Sequence, residues 1–488
     1  MHRKAIIIGS GIGGIATAVR LAIKGLDVSV FEKNDYPGGK IAELNEGNYR
    51  FDSGPTVFTL PHLVDELFKL AGKQPSEYFK YRKLDSSARY FWEDGVVADS
   101  YSDTKDFISE LSEKTGEKPH HIRRFLGKSK ELYDLTSDVF IFNSIHERTK
   151  MFKKSSLKAL INFHKLDVFS TMHEANQKQF ASPKVIQFFD RYATYNGSNP
   201  YKTPATLNVI PHLEHNTGAY FPEKGMYSLV KSLVKLAREI GVKFNFNDEV
   251  LKLHTNNSRV TEVESKSGIH NADYVVSDMD IHHFYQNVFN SDKHFRQLTK
   301  QEKSSSALIF YWGMTDEFPE VGLHNILFSE NYESEFQSLF DRKEINSDPT
   351  VYIFVSSKQV SGDAPVGKEN WYVMINAPEN IGQDWDNLRN EARENILNKI
   401  ERILGKNVRA FIEYEKVSDP LDIERLTGAY HGSLYGNSSN GKFAAFNRHP
   451  NFSRAFRGLY FTGGSVHPGG GIPLALASAR IVADKIKC

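Results

Sequence analysis

Three glycines near the N-terminus are the residues whose spacing most clearly points to a chemical role. Gly9, Gly11 and Gly14 match the spacing G-x-G-x-x-G. The first glycine permits a tight turn, the second lets a pyrophosphate approach the backbone, and the third lets a helix pack closely on a strand. Glu32 follows at roughly the distance of 20 residues expected for an acid that binds ribose hydroxyls. A carboxylate there disfavours a ribose 2′-phosphate, so the spacing predicts a dinucleotide site that does not take NADP.

A second glycine-rich stretch lies near the C-terminus, at residues 463–471. Five of these nine residues are glycines, and each costs conformational entropy on folding. Ile472 and Pro473 follow, and proline is favoured in the first turn of a helix. We expect this helix N-terminus to point at a second electron-rich group of the cofactor; the alternative is a surface turn.

Both glycine stretches lie between a short apolar run and a helical pattern. Residues 5–8 and 28–31 read as buried parallel strands around the first stretch. Residues 459–462 and the helical pattern 472–485 surround the second stretch. The two ends of the chain therefore predict two strand–glycine–helix units.

Two further loops fit the same site. Gly38 and Gly39 would let the backbone pass close to a bulky group, and Lys40 could neutralise a phosphate; a solvated lysine is the alternative. Gly54 and Pro55, within residues 51–56, indicate an irregular and closely packed backbone. A surface turn is the alternative for this second loop.

The remaining patterns predict a discontinuous nucleotide domain and a separate β-rich region. Helices are expected at 63–77, 106–135 and 384–404, strands at 242–246 and 272–278, and a hairpin with its tip at Asn256 and Asn257. We expect the strands of 242–278 to join the first sheet. The aromatic strands 308–312, 351–355 and 371–375 are expected to form the wall of a substrate cavity.

Composition limits the classes of partner. The chain has 61 basic and 60 acidic residues and one cysteine, Cys488. The balanced charge gives no reason to expect a nucleic-acid partner. An intrachain disulfide is impossible, which suits a reducing cytosol. We expect no metal site.

One segment suggests contact with a membrane surface. Residues 141–179 interleave basic and apolar side chains, a pattern typical of helices that lie on anionic membranes. The alternative is a helix packed on its own domain. No run approaches the roughly 20 apolar residues of a membrane span, so we expect peripheral attachment to the cytoplasmic membrane. The basic residues are Arg148, Lys150, Lys153, Lys154, Lys158 and Lys165.

Together, the motifs resemble those of the bacterial-type phytoene desaturase family over essentially the whole chain. The stretch 458–472, G-x-Y-F-x-G-G-S-V-H-P-G-G-G-I, is similar to the C-terminal motif of that family. Residues 191–207, with R-Y-A-T-Y-x-G-S-x-P followed by P-A-T-L, look most like the 1-hydroxycarotenoid 3,4-desaturase and methoxyneurosporene desaturase branch. The chain departs from the family pattern at Val466, Lys224 and Lys40, of which Val466 could alter packing beside a flavin ring.

The resemblance implies an FAD-dependent carotenoid desaturase with a lipophilic carotenoid substrate. Its fold would be α/β: a Rossmann-like FAD-binding domain of the two-dinucleotide-binding type, a β-rich substrate domain and a helical, membrane-associating subdomain. These would comprise residues 1–80, 215–290 and 425–488; 81–110, 205–214 and 291–424; and 111–204.

The resemblance also implies a set of FAD contacts. Residues 9–14 would hold the pyrophosphate, Glu32 the adenosine ribose and Val250 the adenine edge. Gly464 and residues 470–473 would lie against the pyrophosphate and isoalloxazine. The full expected set is Gly9, Gly11, Ile12, Gly13, Gly14, Phe31, Glu32, Lys33, Gly39, Lys40, Pro55, Thr56, Val250, Asp278, Gly464, Gly470, Gly471, Ile472 and Pro473.

The catalytic residues stay open on sequence alone. Glu147, Asp190 and His467 are candidates for a base, and Arg191 would either anchor a substrate hydroxyl or pair with Asp190. Four other functions stay open: phytoene desaturation, carotenoid isomerisation, an amine-oxidase-like activity, and a prenyl-binding escort protein without catalytic flavin.

Overall fold

The computed structural model describes residues 3–147, 162 and 166–487. The six basic residues on which the membrane-surface prediction depends lie outside these residues.

A five-stranded parallel sheet organises the two glycine stretches. Ile8 is paired with both Phe31 and Ser277, and Ser277 is paired with Phe461, so these strands end at one edge. The apolar run at residues 5–8 is a buried strand, as predicted, and Ile7 at its centre has no exposed surface. In spatial order the strands are Leu459–Phe461, Tyr274–Ser277, Lys4–Ile8, Asp27–Phe31 and Lys243–Asn245.

Three helices pack together with this sheet in one hydrophobic cluster. The helix of the first unit buries Ile15 and Val19, and that of the second unit buries Leu476. Gly25, with φ of 87°, follows the first helix, a position where a left-handed glycine commonly ends a helix. The three helices are Ile12–Ile23, Tyr227–Glu239 and Ile472–Lys485.

The prediction that all strands between 242 and 278 join the first sheet is partly wrong. A separate antiparallel sheet consists of Val250–Asn256, Arg259–Ser265 and Gly268–Asn271. The predicted hairpin is present, because Asn257 and Ser258 have positive φ and reverse the chain. A two-residue reversal can only join antiparallel neighbours, so these strands cannot continue a parallel sheet.

The three aromatic runs lie in a seven-stranded, predominantly antiparallel sheet, as predicted. Alternate residues of the strand Ser306–Met314 face opposite sides: Leu308 and Phe310 pack toward the helix Trp385–Leu404, whereas Ile309 and Tyr311 line a cavity. In spatial order its strands are Ile412–Ser418, Ser306–Met314, Glu369–Ala377, Val351–Phe354, His324–Leu327, Ser86–Phe91 and Val97–Tyr101.

Two predicted helices are interrupted. The helix expected at 106–135 is two helices, because Gly116 adopts a left-handed conformation and Pro119 begins the next helix. The helix expected at 63–77 ends at Leu70, before Gly72 with φ of 70°. Arg191 begins a short, tightly wound helical segment, Arg191–Asn196, that directly follows the helix Pro183–Asp190. The segments concerned are His62–Leu70, Pro75–Glu77, Thr104–Thr115, Pro119–Phe140, Met172–Gln179, Pro183–Asp190 and Arg191–Asn196.

Short elements complete the described chain. They are the strand pairs Ala42–Glu46 with Tyr49–Ser53 and Tyr81–Lys83 with Tyr220–Pro222, and the helices Ile281–His283, Asp292–Leu298, Tyr332–Gln337, Pro420–Thr427 and Ala444–Asn447. Within the described ranges, no helix combines the length and apolarity required to cross a membrane. The predicted division into three domains stays a prediction.

Candidate active site

The first glycine loop, residues 9–14, connects the central strand to its helix. The Gly9 N–H donates to Phe31 O at 2.8 Å, which fixes the turn. A Cβ at Gly14 would lie 2.3 Å from Gly9 O, so this glycine allows the helix to start directly on the strand end. Ile12 and Gly13 line a cavity, and their N–H groups lie in the first helical turn, where no intrahelical acceptor exists. Such a turn attracts phosphate.

Glu32 closes one side of this loop. Its Oε2 accepts hydrogen bonds from the Ser10 backbone N–H at 2.8 Å and from Ser10 Oγ at 2.7 Å, and its Oε1 accepts one from the Asn34 N–H. A carboxylate has about four lone-pair sites, so acceptor capacity remains for ribose hydroxyls. Glu32 is buried but lines the cavity.

The Pro37–Lys40 loop returns over the first glycine loop. Gly38 N–H donates to Ser10 O at 2.8 Å, and a Cβ at Gly39 would lie 3.3 Å from Gly11 Cα. Lys40 donates from Nζ to Ser433 O at 3.1 Å and to Leu434 O. Burial lowers the pKa of Lys40 to about 8, against the opposing effect of Asp280 and Asp278.

Asp278 joins the two glycine stretches. Its carboxyl lies against the first glycine loop: a Cβ at Gly11 would lie 2.4 Å from its Oδ2, and the backbone N–H groups of Gly14 and Gly11 act to lower its pKa. A Cβ at Gly463 would lie 2.3 Å from its Oδ1, so the second glycine stretch closes on the same carboxyl. Burial raises the pKa of Asp278 to about 7, and the Glu32 charge acts in the same direction.

The second glycine stretch packs closely on itself and on an aromatic ring. A Cβ at Gly464 would lie 3.3 Å from Gly470 Cα, and a Cβ at Gly470 would lie 2.6 Å from Tyr435 Cδ1. The opposite edge of the same ring lies 2.7 Å from the position of a Cβ at Gly197. Tyr435 is therefore held between this stretch and the turn that carries Arg191.

One continuous cavity of about 1080 Å³ joins both glycine stretches. Every residue of the expected FAD set lines it except Gly14, whose place is between helix and strand. The cavity extends to the antiparallel sheet, where Ile309, Tyr311, Tyr372 and Met374 form an aromatic and apolar wall. Ligand pockets typically measure about 300–1,000 Å³, so this cavity has room for a cofactor and a second ligand.

The three base candidates lie in different environments. Asp190 Oδ2 contacts His173 Nδ1 at 2.5 Å and Oδ1 accepts from Asn176, away from the cavity. Glu147 forms an ion pair with Lys485 at 3.4 Å. Only His467 lines the cavity.

His467 is a neutral imidazole at pH 7. Burial lowers its pKa to about 4, and its Nε2 contacts Asn143 O at 2.9 Å. Its Nδ1 has no hydrogen-bond partner among the described residues. The ring can accept a proton at Nδ1, but the low pKa makes it a weak base.

Sequence reasoning missed several residues of the cavity. Arg448, Tyr435 and Glu214 all line the cavity. The Arg448 side chain is buried, and its Cζ would lie 3.0 Å from a Cβ at Gly469. None belongs to a glycine motif, so only tertiary packing reveals them. Val466 is fully buried and packs in a hydrophobic cluster with Phe284 and Phe461, while its chain neighbours Ser465 and His467 line the cavity. Its effect on packing beside a flavin ring stays a prediction.

These features fit a flavin dinucleotide. The backbone cradle depends on five glycines at positions where a Cβ would meet neighbouring atoms at 2.3–2.7 Å: Gly11, Gly13, Gly14, Gly463 and Gly470. Lys40 supplies a cation, Glu32 an acceptor for ribose, and two helix N-termini face the same cavity.

The comparison with known protein families decides the class. Residues 12–487 match the family described as flavin containing amine oxidoreductase. The chain belongs to this family. Its cofactor is FAD, and it is an FAD-dependent oxidoreductase.

Relatives within this flavin family narrow the comparison. A 1-hydroxycarotenoid 3,4-desaturase from Flavobacterium sp. (strain P99-3) is 48% identical over 484 residues, which cover 99% of each chain. A 4,4'-diaponeurosporene oxygenase from Staphylococcus aureus (strain MSSA476) is 32% identical over 491 residues, covering 100% of this chain and 98% of that one. The predicted resemblance to carotenoid desaturases is confirmed.

Solved structures of other proteins share the fold. Putrescine oxidase bound to putrescine superposes with a TM-score of 0.65 at 14% identity, covering 99% of this chain and 98% of that one. An oxidoreductase from Methanosarcina mazei gives 0.62 at 18% identity, with coverage of 99% and 100%. The predicted fold class is confirmed.

Proposed function

We propose that this flavoprotein is a carotenoid desaturase that forms the double bond between C3 and C4 of a 1-hydroxycarotenoid. The observation that carries the proposal is the single cavity that connects both glycine stretches to an aromatic wall. The 48% identical relative is named for this reaction, and the alignment covers 99% of both chains.

The cavity wall suits a nonpolar polyene. The inward residues of the antiparallel sheet are apolar or aromatic, among them Ile309, Ile326 and Tyr372. They contribute dispersion contacts to a long conjugated chain and exclude water. Positioning and water exclusion are the main contributions of such a site, since the cofactor carries the chemistry.

The reaction removes two hydrogens from neighbouring carbons. One hydrogen leaves its carbon together with the electron pair of the C–H bond. The other hydrogen leaves as a proton, and the electron pair of its C–H bond forms the new C=C bond. Bound FAD supplies the two-electron acceptor. The N-terminus of the helix Ile472–Lys485 offers positive dipole to negative charge that develops beside the second glycine stretch.

For the proton we propose His467 as the first residue to test. It is the one base candidate of the three that lines the cavity. Its unpartnered Nδ1 has capacity to accept a proton, and Nε2 is held by Asn143 O.

We also propose that the protein collects its substrate at a membrane surface. Three aromatic side chains are strongly exposed: Phe169 at 73%, Phe443 at 68% and Phe446 at 54%. Phe446 lines the cavity, as does Lys442, whose ammonium lies 5.7 Å from the Phe169 ring centroid. Aromatic rings beside a lysine are suited to the headgroup region of a bilayer.

The product of the reaction tests the proposal. We expect cells that accumulate a 1-hydroxycarotenoid to form its 3,4-didehydro derivative when they express this chain. A product that contains added oxygen would favour the reaction for which the Staphylococcus aureus relative is named. Desaturated phytoene or an isomerised polyene would support the two other polyene functions.

The non-polyene alternatives are tested with purified protein. A yellow preparation with flavin absorbance excludes the escort function. Loss of that absorbance on anaerobic addition of an amine, but not of a polyene, would favour an amine oxidase.

A further inference from the structure

Arg191 lies in the tight turn that follows the helix Pro183–Asp190 and lines the cavity. It does not depend on Asp190 as a partner, since that carboxylate is bound by His173 and Asn176. The Arg191 guanidinium instead lies over two tyrosine rings, 5.6 Å from the Tyr90 centroid and 5.3 Å from the Tyr195 centroid.

The charge of Arg191 is balanced by Glu214. Burial opposes ionisation of Glu214, but His215, hydrogen bonds from Ser87 and Tyr195, and the Arg191 charge together lower its pKa. Both Glu214 oxygens are engaged: Oε1 accepts from Ser87 at 2.5 Å and Oε2 accepts from Tyr195 at 2.8 Å. Because a buried charge pair tolerates no third charge cheaply, the ligand beside Arg191 is expected to be neutral.

The hydrogen-bonding capacity of Arg191 is largely unused. A guanidinium has five N–H donors. Among the described residues, it donates to Tyr90 Oη at the long distance of 3.3 Å and has Tyr195 as a second hydrogen-bond partner. The remaining donors belong to a side chain that lines the cavity.

A second polar group nearby has no partner. Tyr332 is 5% exposed and lines the same cavity, and its Oη has no hydrogen-bond partner among the described residues. The Arg191 charge is close enough to oppose the effect of burial on the pKa of Tyr332. A buried hydroxyl without a partner is unfavourable, and a ligand that hydrogen-bonds to it removes that cost.

The location agrees with the chemistry of the proposed substrate. The turn of Arg191 ends at Gly197, which packs on one edge of the Tyr435 ring while Gly470 packs on the other. The segment that carries Arg191 is therefore linked through one aromatic ring to the second glycine stretch. In a 1-hydroxycarotenoid, a single carbon separates the hydroxylated C1 from the C3–C4 bond, so the hydroxyl must also lie near the flavin.

We propose that Arg191 and Tyr332 form a recognition site for a neutral alcohol, the C1 hydroxyl of the polyene. This inference rests on the proposed function. Arg191 donates to the hydroxyl oxygen, and the hydroxyl hydrogen is donated to Tyr332 Oη. The pair fixes the register of the polyene, so that C3 and C4 are the carbons presented to the flavin.

Binding to two matched polyenes tests this site. The probes are a 1-hydroxycarotenoid and its counterpart that lacks only that hydroxyl, and affinity is read from the change in polyene absorbance on titration with the flavin-loaded protein. Since a hydrogen bond to a charged group contributes about 1.5–3 kcal/mol, we expect the wild type to bind the hydroxylated polyene at least about tenfold more tightly.

Tyr332→Phe is the primary variant, because it removes no hydrogen bond within the described chain. Its preference for the hydroxylated polyene is expected to be about fivefold smaller than that of the wild type, and its affinity for the deoxy polyene is expected to be unchanged. Arg191→Lys keeps the charge that balances Glu214 but removes the planar donors, and it is also expected to reduce the preference. Tyr285→Phe is the matched control, since that tyrosine is buried outside the cavity lining; it should leave the preference unchanged.

The outcomes separate this inference from the proposed function. Desaturation of both polyenes with equal affinities would overturn the hydroxyl site and leave desaturation standing. Selective binding of the hydroxylated polyene without desaturation would support the hydroxyl site and overturn the proposed desaturation. Equal losses for both polyenes in Tyr332→Phe would show a structural role and contradict the site.

Discussion

At the scale of single residues, the glycines of the first loop set the shape of the cofactor site. Gly11 is the clearest case, because a Cβ there would lie 2.4 Å from Asp278 Oδ2. We expect Gly11→Val to reduce the ratio of flavin to protein absorbance at least tenfold while the protein stays folded by circular dichroism. Gly127→Val is the control, since a Cβ at Gly127 meets nothing within 4 Å. Full flavin content in Gly11→Val would refute the placement of the pyrophosphate.

Asp278 should make stability depend on pH. Burial raises its pKa to about 7 in the folded chain, whereas an unfolded Asp titrates near about 4. Between these values the folded state holds a proton that the unfolded state has lost, so this group lowers the free energy of unfolding as pH rises from about 4 to about 7.

Asp278→Asn removes that dependence and keeps an acceptor for the glycine N–H groups. We expect it to be more stable than the wild type by about 4 kcal/mol at pH 8, and by little at pH 4. Urea unfolding at a series of pH values measures this difference. Asp386→Asn, on an exposed side chain, is the control. A difference that does not change with pH would mean that Asp278 is ionised in the folded chain.

At the scale of elements, the turn at residues 51–56 is locked to the loop that carries Lys40. A Cβ at Gly54 would lie 1.8 Å from Lys40 O, and the φ of Gly54 is 124°. Asp52 also accepts from the N–H groups of Met226 and Tyr227, so the same turn fixes the start of a third helix. The prediction of a closely packed backbone is therefore confirmed, and the surface-turn alternative is wrong.

Gly54→Ala is expected to lower the thermal midpoint strongly, with a loss above about 4 kcal/mol. Gly47→Ala is the matched control: Gly47 also has positive φ, at 58°, but a Cβ there meets nothing within 4 Å. Its cost should be only the conformational strain of about 1–2 kcal/mol. Equal midpoints in the two variants would contradict the close contact with Lys40.

The helices and strands also show which structural features could be predicted from the sequence. Short-range signals predicted both strand–glycine–helix units, because glycine spacing and apolar runs act locally. The interruption at Gly116 and Pro119 was missed although its residues are strong helix terminators. Strand partners such as Val250 were assigned to the wrong sheet, since pairing depends on the path of the chain in space. Arg448, Tyr435 and Tyr332 reach the cavity through long-range packing, for which a single sequence carries no periodic signal.

At the scale of the whole molecule, the cavity lies beside an exposed aromatic surface that includes Phe443 and Phe446. We expect Phe443→Ser combined with Phe446→Ser to weaken binding to anionic vesicles roughly tenfold, because each phenyl ring contributes up to about 3 kcal/mol when removed from water. Ile269→Ser with Val366→Ser is the control, since both side chains are exposed elsewhere. Co-sedimentation measures binding. Equal losses in both double variants would refute a specific docking surface.

The sequence makes a related prediction for the basic segment. Charge reversal at Lys153, Lys154 and Lys158 should weaken binding to the same vesicles, and more so at low salt. Unchanged sedimentation would leave the aromatic surface as the docking site and refute the contribution of these lysines.

The central claim is that one FAD, held by glycine loops from both ends of the chain, is reduced directly by a polyene in the shared cavity. Anaerobic titration of the purified, flavin-loaded protein with a 1-hydroxycarotenoid tests it most directly. The account predicts that oxidised-flavin absorbance disappears with one equivalent of polyene, and that the polyene spectrum shifts to that of a chain with one more conjugated double bond. Flavin that stays fully oxidised while the polyene binds would contradict the claim.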